Sequence, residues 1–265
     1  MHTLIKLGGS VITNKRIENS FNADVMKQLA HEIAQAWYTK PTSLIIGHGS
    51  GSFGHFVAHR YGTMTGVKSP EQWRGFAEVG RVAGELNRLV MDELVAVGLP
   101  ILKIQPSASA LCRDGELIQM ALHPLETALE HGLVPLVYGD IALDEVRGGT
   151  IISTETIMTY LAKNLPVARV FLLGDVDGVF DSDGQVIPRI TPNTLADYQS
   201  ALGGSYGTDV TGGMFAKVRD MVNLVKARPH LSIRIMNGGV KNHLLHALTN
   251  DLQTGTLIIN DSVDD

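Results

Sequence analysis

Short apolar runs alternate with longer amphipathic segments along almost the whole chain. A short apolar run is typical of a buried strand, whereas apolar residues at three- and four-residue spacing are typical of a helix. The runs predict strands at residues 3–7, 43–46, 100–104, 133–138, 167–173, 233–236 and 256–259. The amphipathic segments predict helices at residues 24–38, 70–97, 156–164, 213–228 and 243–249. This alternation predicts an α/β protein with a mainly parallel central sheet.

Glycine follows five of the predicted strands, and in two cases an aspartate comes directly after it. The glycines are Gly8, Gly47, Gly139, Gly174 and Gly238, and the aspartates are Asp140 and Asp175. Ligands of open parallel sheets bind beyond the carboxyl ends of the strands. We therefore expect one long crevice along this edge, with Asp175 beside a metal-bound nucleotide.

Two of these strands lead into loops suited to phosphate. Residues 6–10 read Lys-Leu-Gly-Gly-Ser with Lys15 nearby, and residues 47–55 read Gly-His-Gly-Ser-Gly-Ser-Phe-Gly-His. Glycines let backbone N–H groups approach an anion closely, because no Cβ obstructs them. His55 is expected among these N–H groups, where a phosphate would favour the imidazolium form; alternatively it bonds a nearby carbonyl. Two such loops are what a kinase needs for a donor and an acceptor.

A third candidate anion site precedes the predicted helix at residues 213–228. Thr211, Gly212 and Gly213 would leave backbone N–H groups free at its positive end. Lys217 lies one turn further on and could reach the same anion, or it could simply be a solvated side chain.

Composition narrows the possible classes. A chain of 265 residues, 44% hydrophobic and 18% charged, predicts a globular domain, with a lobe boundary near residue 165. A net charge of −5 argues against a nucleic-acid partner. The single cysteine, Cys112, excludes an internal disulfide and a multi-cysteine zinc site. Neither a signal-peptide pattern nor a membrane-length apolar run is evident, so we expect a soluble, cytoplasmic protein.

Other familiar motifs fit less well. The glycines at 49, 51 and 54 match the dinucleotide fingerprint formally. However, they follow the second strand, and the segment after Gly54 is expected to be too short and too soon broken for a crossover helix. The P-loop and eukaryotic protein-kinase patterns are absent. Residues 181–184 lack the spacing of a calcium loop and predict a hairpin turn.

Together the motifs resemble the amino acid kinase superfamily and, within it, the isopentenyl phosphate kinase family. The matching segments are residues 6–10 with Lys15, 52–55, 138–140, 173–180 and 209–217. The Ser-Phe-Gly-His ending at 52–55 is the more specific one, because relatives acting on carboxylates or carbamate lack it. The resemblance implies a three-layer αβα sandwich and ATP-dependent phosphorylation of isopentenyl phosphate to isopentenyl diphosphate.

The resemblance also implies where the ligands bind. The acceptor, a small phosphate, would lie in lobe 1–165 and ATP in lobe 166–265, with Mg²⁺ between them and a second copy completing a homodimer. No protein ligand to a metal is implied. The residues implied to be catalytic are Lys6, Lys15, Lys217 and His55. The residues implied to contact ATP are Lys6, Gly8, Gly9, Ser10, Gly51, Asp175, Phe180, Asp181, Gly212, Gly213 and Lys217. Those implied to contact the acceptor are Gly49, Ser50, Gly54, His55, Asp140 and Thr154.

The sequence departs from the family pattern in two places. Gly49-Ser50-Gly51 stands where three adjacent glycines are common, and Ser153-Thr154-Glu155 stands where Ser-Gly-Asp is frequent. Apolar residues of the 70–97 helix, such as Phe76, could line a slot for a five-carbon tail or simply pack in the core. Two other functions stay open: phosphorylation of another small phosphate or phosphonate, of the fosfomycin type, and nucleotide sensing without catalysis.

Overall fold

The computed structural model describes residues 1–198, 213–249 and 254–262. The helices in these ranges are α1 (Gly9–Ile12), α2 (Ala23–Thr39), α3 (Gly51–Tyr61), α4 (Pro70–Ala96), α5 (His123–Glu130), α6 (Thr154–Asn164), α7 (Gly213–Ala227) and α8 (His243–Thr249). The strands are β1 (His2–Leu7), β2 (Leu44–His48), β3 (Ile101–Lys103), β4 (Leu111–Arg113), β5 (Glu116–Gln119), β6 (Val134–Tyr138), β7 (Asp140–Asp144), β8 (Gly148–Ile152), β9 (Val167–Gly174), β10 (Arg189–Ile190), β11 (Ser232–Asn237) and β12 (Thr256–Ile258). Within the described ranges, no helix combines the length and apolar character needed to cross a membrane.

An eight-stranded sheet forms the central layer, in the order β10-β12-β11-β9-β1-β2-β6-β3. Neighbouring strands are parallel except for the antiparallel pair β11 and β12. Successive residues of a strand face opposite sides of a sheet. Accordingly, Ile5 packs with α2, α3, α4 and α8, whereas Leu4 packs with α5, α6 and α7. The predicted αβα sandwich with a mainly parallel sheet is confirmed.

The position of β1 decides where a ligand can bind. It lies between β2 and β9, so the chain leaves it towards one side of the sheet and later returns on the other. Open α/β sheets bind ligands in the crevice outside such a switch point, beyond the carboxyl ends of the strands. The glycines that follow β1, β2, β6, β9 and β11 all lie at this edge.

A second sheet, in the order β5-β4-β7-β8, lies outside the central sheet and is not among the predicted elements. It packs against the long helix: a Cβ added to Gly80 of α4 would lie 2.8 Å from Ile141 Cδ1 of β7. Its strands have only three to five residues, with no long apolar run to mark them.

One buried carboxylate holds the turns of this second sheet together. Asp144 is 5% exposed, and it accepts backbone hydrogen bonds from Asp114, Gly115, Val146 and Arg147 at 2.7–3.1 Å. Burial alone would raise the pKa of Asp144, but these four N–H donors outweigh it and hold the pKa below its usual value.

We expect Asp144→Asn to destabilise the fold by about 2 kcal/mol at neutral pH, because an amide cannot accept all four bonds. A depressed folded-state pKa stabilises above the unfolded pKa, near about 3.9, and this contribution is lost as pH falls through the folded pKa. Urea unfolding at pH 7 and below pH 4 measures the difference, with the exposed Asp183→Asn as control. A difference that stays constant with pH would contradict the ionised role.

Candidate active site

The two predicted phosphate loops meet at the carboxyl ends of β1 and β2. A Cβ added to Gly9 would lie 2.7 Å from the Gly51 backbone, and one added to Gly49 would lie 2.9 Å from the Gly9 nitrogen. Gly51 has a φ of +48°, and its Cβ would lie 2.3 Å from Thr13 Oγ1. Side chains at these positions would therefore push the two segments apart. The glycines hold two backbones in contact, whatever they also bind.

The second loop is shorter than expected, because residues 51–61 form helix α3. The segment after Gly54 is therefore helical, which was not predicted, but the helix ends at Tyr61, in keeping with the expectation that it is soon broken. Gly54 packs its α-carbon against Ser50, since an added Cβ would lie 2.7 Å from the Ser50 side chain. Gly62, in the left-handed conformation at a φ of +62°, ends the helix.

His55 consequently lies within α3 and not in a loop of free N–H groups, as the sequence analysis expects. It is an exposed residue of this helix, near Lys15 and Glu155. Partial burial of the ring and the positive charge of Lys15 lower the pKa of His55, while the charge of Glu155 opposes them. The imidazole is thus mostly neutral at pH 7 in the free protein, and a bound dianion would favour its protonation.

A carboxylate at the point where the sequence departs from the family pattern pairs with the first lysine of the site. Lys6, near the end of β1 and 13% exposed at its side chain, donates to Glu155 Oε1 in the first turn of α6. Burial disfavours the Glu155 carboxylate, but Lys6 and the charge of Lys217 outweigh it and lower its pKa. Glu155 therefore pairs with Lys6 and lies within electrostatic range of Lys217 and His55. The departure from the family pattern at residues 153–155 is the only sequence signal for it.

Three of the residues expected to contact the nucleotide, Gly8, Ser10 and Asp175, lie where β1 and β9 end. Ser10 Oγ donates to Asp175 Oδ1 at 3.0 Å, linking the two strand ends. A Cβ added to Gly8 would lie 2.3 Å from the Leu173 carbonyl oxygen, so this turn also needs glycine. Beyond Asp175, Asp177 accepts from Asn237 Nδ2 at 2.8 Å and lines a cavity of about 300 Å³ together with Pro188, Met236 and His243.

The hairpin turn predicted at residues 181–184 is confirmed. Phe180 is 39% exposed and bridges Val186 across the turn. Asp181 Oδ1 accepts from the backbone N–H groups of Asp183 and Gln185 at 2.9 and 2.8 Å. This carboxylate oxygen therefore shapes the turn, and nucleotide contact by Phe180 or Asp181 stays a prediction.

Two residues expected to contact the acceptor are buried beneath the crevice. Asp140 is 1% exposed and accepts from the backbone of Ile141 and Ser107 at 2.9 and 3.1 Å; burial raises its pKa, against these bonds. Thr154, also 1% exposed, donates its hydroxyl to the His48 carbonyl at 2.6 Å. Both side chains are bonded inside the protein, and their contact with the acceptor stays a prediction.

The third candidate anion site is only partly described. Thr211 and Gly212 lie outside the described residues, whereas Gly213 begins α7 and Lys217 is an exposed residue one turn later. The charge of Lys217 helps to lower the pKa of Glu155, so this lysine lies within electrostatic range of the partner of Lys6.

The donor set does not fit a metal held by protein alone. In the described part of the chain, no group of three or more His, Cys, Asp or Glu side chains is arranged to hold an ion. Mg²⁺ is commonly bound by one or two carboxylates together with substrate phosphates and water. A magnesium ion would therefore come with the nucleotide, held mainly by its phosphates.

The sequence profile of the amino acid kinase family matches residues 1–237. The chain belongs to this family. Within it, the chain is 36% identical to an isopentenyl phosphate kinase of Methanothermobacter thermautotrophicus, over 96% of this chain and 98% of that protein. It is 34% identical to one of Methanocaldococcus jannaschii, over 96% of this chain and 97% of that protein. A crystal structure of an isopentenyl phosphate kinase superimposes with a TM-score of 0.82 at 31% identity, over 97% of this chain and 100% of that one.

Proposed function

We propose that this protein transfers the γ-phosphoryl group of ATP to isopentenyl phosphate, giving isopentenyl diphosphate and ADP. The observation that carries the proposal is the ion pair between Lys6 and Glu155 at the carboxyl ends of the central strands, with Lys217 and His55 within electrostatic range of Glu155, and Lys15 within that of His55. The names of the curated relatives, isopentenyl phosphate kinases over nearly their full length, supply the acceptor.

The chemistry of the acceptor explains why three lysines and a histidine are enough for this phosphoryl transfer. A phosphate monoester has its second pKa near about 6, so at neutral pH it is mostly a dianion and already a nucleophile. It therefore needs no strong general base. The difficulty is to bring two polyanions together in line, which requires positioning and positive charge.

On the acceptor side, lobe 1–165 would bind the phosphate between the second glycine segment and His55. Gly49, Ser50 and Gly54 would supply backbone contacts at the start of α3, where the helix dipole favours an anion. Ser50 is the N-cap residue of α3 and does not cap the helix with its side chain, so its hydroxyl is available to a ligand. Asp140 and Thr154 would lie beneath the acceptor and form the base of its binding site.

On the donor side, lobe 166–265 would hold ATP. Gly8, Gly9, Ser10 and Gly51 would cradle its phosphates. The residues that would lie along the nucleotide are Asp175, Phe180, Asp181, Gly212 and Gly213. Lys6 and Lys217 would neutralise the phosphoryl group as it moves, with Lys15 on the acceptor side. Mg²⁺ would screen the remaining phosphate charge.

We also infer a homodimer in the cytoplasm. The three-residue strand β3 ends the central sheet, and Leu102 on it is 37% exposed beside an apolar groove formed with α5. An open strand edge of this kind is a site for pairing with another chain. The single cysteine, Cys112, is a free buried thiol, so the fold does not depend on a disulfide, as is usual for proteins of the reducing cytoplasm. Sedimentation of a monomer at micromolar concentration would contradict the dimer.

The function is tested by ADP release from the purified protein with Mg-ATP and a panel of acceptors. The panel contains isopentenyl phosphate, dimethylallyl phosphate, fosfomycin, carbamate and N-acetylglutamate. We expect turnover confined to the isoprenoid phosphates. Turnover only with another acceptor would overturn the substrate, and ATP binding without turnover for any of them would indicate a sensor.

We expect His55→Ala to raise KM for isopentenyl phosphate about 10- to 100-fold, because a hydrogen bond to a charged phosphate is lost. KM for ATP should change little. His59→Ala is the matched control, since His59 is an exposed histidine one turn further along α3. Steady-state kinetics with each substrate varied in turn makes the comparison. An equal rise of KM for ATP would remove His55 from the acceptor site.

A further inference from the structure

We infer that His48, a buried histidine, is a positioning residue for the acceptor: it keeps the Gly49 carbonyl turned into the protein and away from the bound phosphate. A single neutral tautomer of His48, fixed by Asn87 of α4, performs this task. The inference rests on the proposed acceptor site at the start of α3.

The surroundings of His48 leave little freedom to the ring. It is the last residue of β2, is 0% exposed and stacks on Tyr138 with ring centroids 5.6 Å apart and an angle of 8°. Its Nδ1 lies 3.0 Å from the Gly49 carbonyl oxygen. Its Nε2 lies 3.0 Å from Asn87 Nδ2, and Asn87 is also 0% exposed. Both ring nitrogens are thus engaged.

These partners decide the tautomer. A carbonyl oxygen only accepts, so Nδ1 must carry the hydrogen and donate it to Gly49. In the neutral ring Nε2 then has a lone pair, which requires the amide N–H of Asn87 as its donor. Burial lowers the pKa of His48 to about 4, although the bond to Gly49 opposes this, so the ring stays neutral at physiological pH.

The peptide between residues 48 and 49, which precedes the Gly49 carbonyl, is held by hydrogen bonds at both its N–H and its carbonyl. The Gly49 N–H donates to the Leu7 carbonyl at 3.0 Å. The His48 carbonyl accepts from Thr154 Oγ1 at 2.6 Å and from the Gly139 N–H at 3.1 Å. Residues of β1, α6 and the turn after β6 therefore fix this peptide. The Gly49 carbonyl belongs to the next peptide, and its bond comes from the His48 side chain.

The consequence for the acceptor is electrostatic. Gly49 immediately precedes Ser50 and α3, where the proposed site receives a phosphate dianion. A carbonyl oxygen turned towards that dianion would repel it, whereas a carbonyl bonded to His48 leaves the positive end of α3 to face it. His48 acts through the backbone and does not itself touch the substrate.

The test combines a tautomer measurement with kinetics. Nitrogen-15 NMR of the wild-type protein should show His48 protonated at Nδ1 and unprotonated at Nε2 between pH 6 and 8. His48→Leu should raise KM for isopentenyl phosphate at least about tenfold, with KM for ATP nearly unchanged, because a buried acceptor is left without its donor. His48→Gln, whose amide N–H can still donate to Gly49, should recover part of the loss.

Controls separate this inference from stability and from the proposed function. Asp144→Asn lowers stability far from Gly49 and should leave both KM values unchanged. Binding of inorganic phosphate to the His48 variants, followed by NMR, tests the inference even if isopentenyl phosphate is not turned over. A hydrogen on Nε2, or equal changes in both KM values for His48→Leu and His48→Gln, would overturn it. If His48→Leu does not fold, the tautomer and His48→Gln decide.

Discussion

Replacing Lys217 with alanine is expected to lower kcat about 10²- to 10³-fold, with little change in KM for either substrate. Negative charge on the oxygens around the moving phosphoryl group must be stabilised by groups already in place, and removing one such group typically costs this much. Lys217 is exposed, so its loss leaves no cavity and no unpaired buried group. Its charge acts on the Glu155 carboxylate, the partner of Lys6.

The matched control is Lys226→Ala, because Lys226 is an exposed lysine at the other end of the same helix. It should retain full activity. Steady-state kinetics of both variants, together with their unfolding midpoints, separates catalysis from stability. A Lys217→Ala enzyme with normal kcat and a raised KM for ATP would mean that this lysine binds substrate and transition state equally.

The central sheet could be predicted because each of its long strands is one apolar run, buried on both faces. The end signals of α4 were also sufficient. Ser69 and Gln72 form a capping box at its start, and Gly98, at a φ of +86°, follows its last turn. Local sequence controls these features, so no knowledge of distant residues was needed.

Helix α3 could not be predicted in the same way, because Gly51 and Gly54 are poor helix formers. A tertiary contact requires Gly51, because an added Cβ would meet Thr13, whereas Gly54 packs against Ser50 at the start of the same helix. The helix therefore forms in spite of its local preference. Placing His55 in a loop followed from the same misjudgement, although its importance to the proposed site did not depend on it.

The sequence predicted where the candidate site lies, but it did not predict which side chains contact each other there. Carboxyl ends of parallel strands share an edge, so the glycine segments had to converge there. Which side chains then meet depends on register and helix packing. Lys6 and Glu155 are 149 residues apart in sequence, and His48 and Asn87 are 39 apart. No spacing rule connects such pairs.

Glu155→Gln is expected to separate nucleotide binding from catalysis. The carboxylate repels the polyanion that must enter beside it, so its neutralisation should tighten ATP binding about two- to tenfold. The same change releases Lys6, whose side chain is only 13% exposed and loses the partner that orients it. A misplaced catalytic group can cost about 10²-fold, so kcat should fall by a factor of about 10 to 100.

The Glu155→Asp variant distinguishes the effect of the negative charge from the effect of side-chain length. It keeps the negative charge but is one methylene shorter, so ATP affinity should stay as in the wild type while kcat lies between those of the wild type and Glu155→Gln. Equilibrium binding of ATP and steady-state kinetics measure the two effects separately. Unchanged kcat in Glu155→Gln would reduce the pair with Lys6 to an ordinary surface ion pair, which contributes little. A joint loss of affinity and kcat would instead mean that Glu155 holds the crevice in shape, because only a structural change would weaken binding when a repulsive charge is removed.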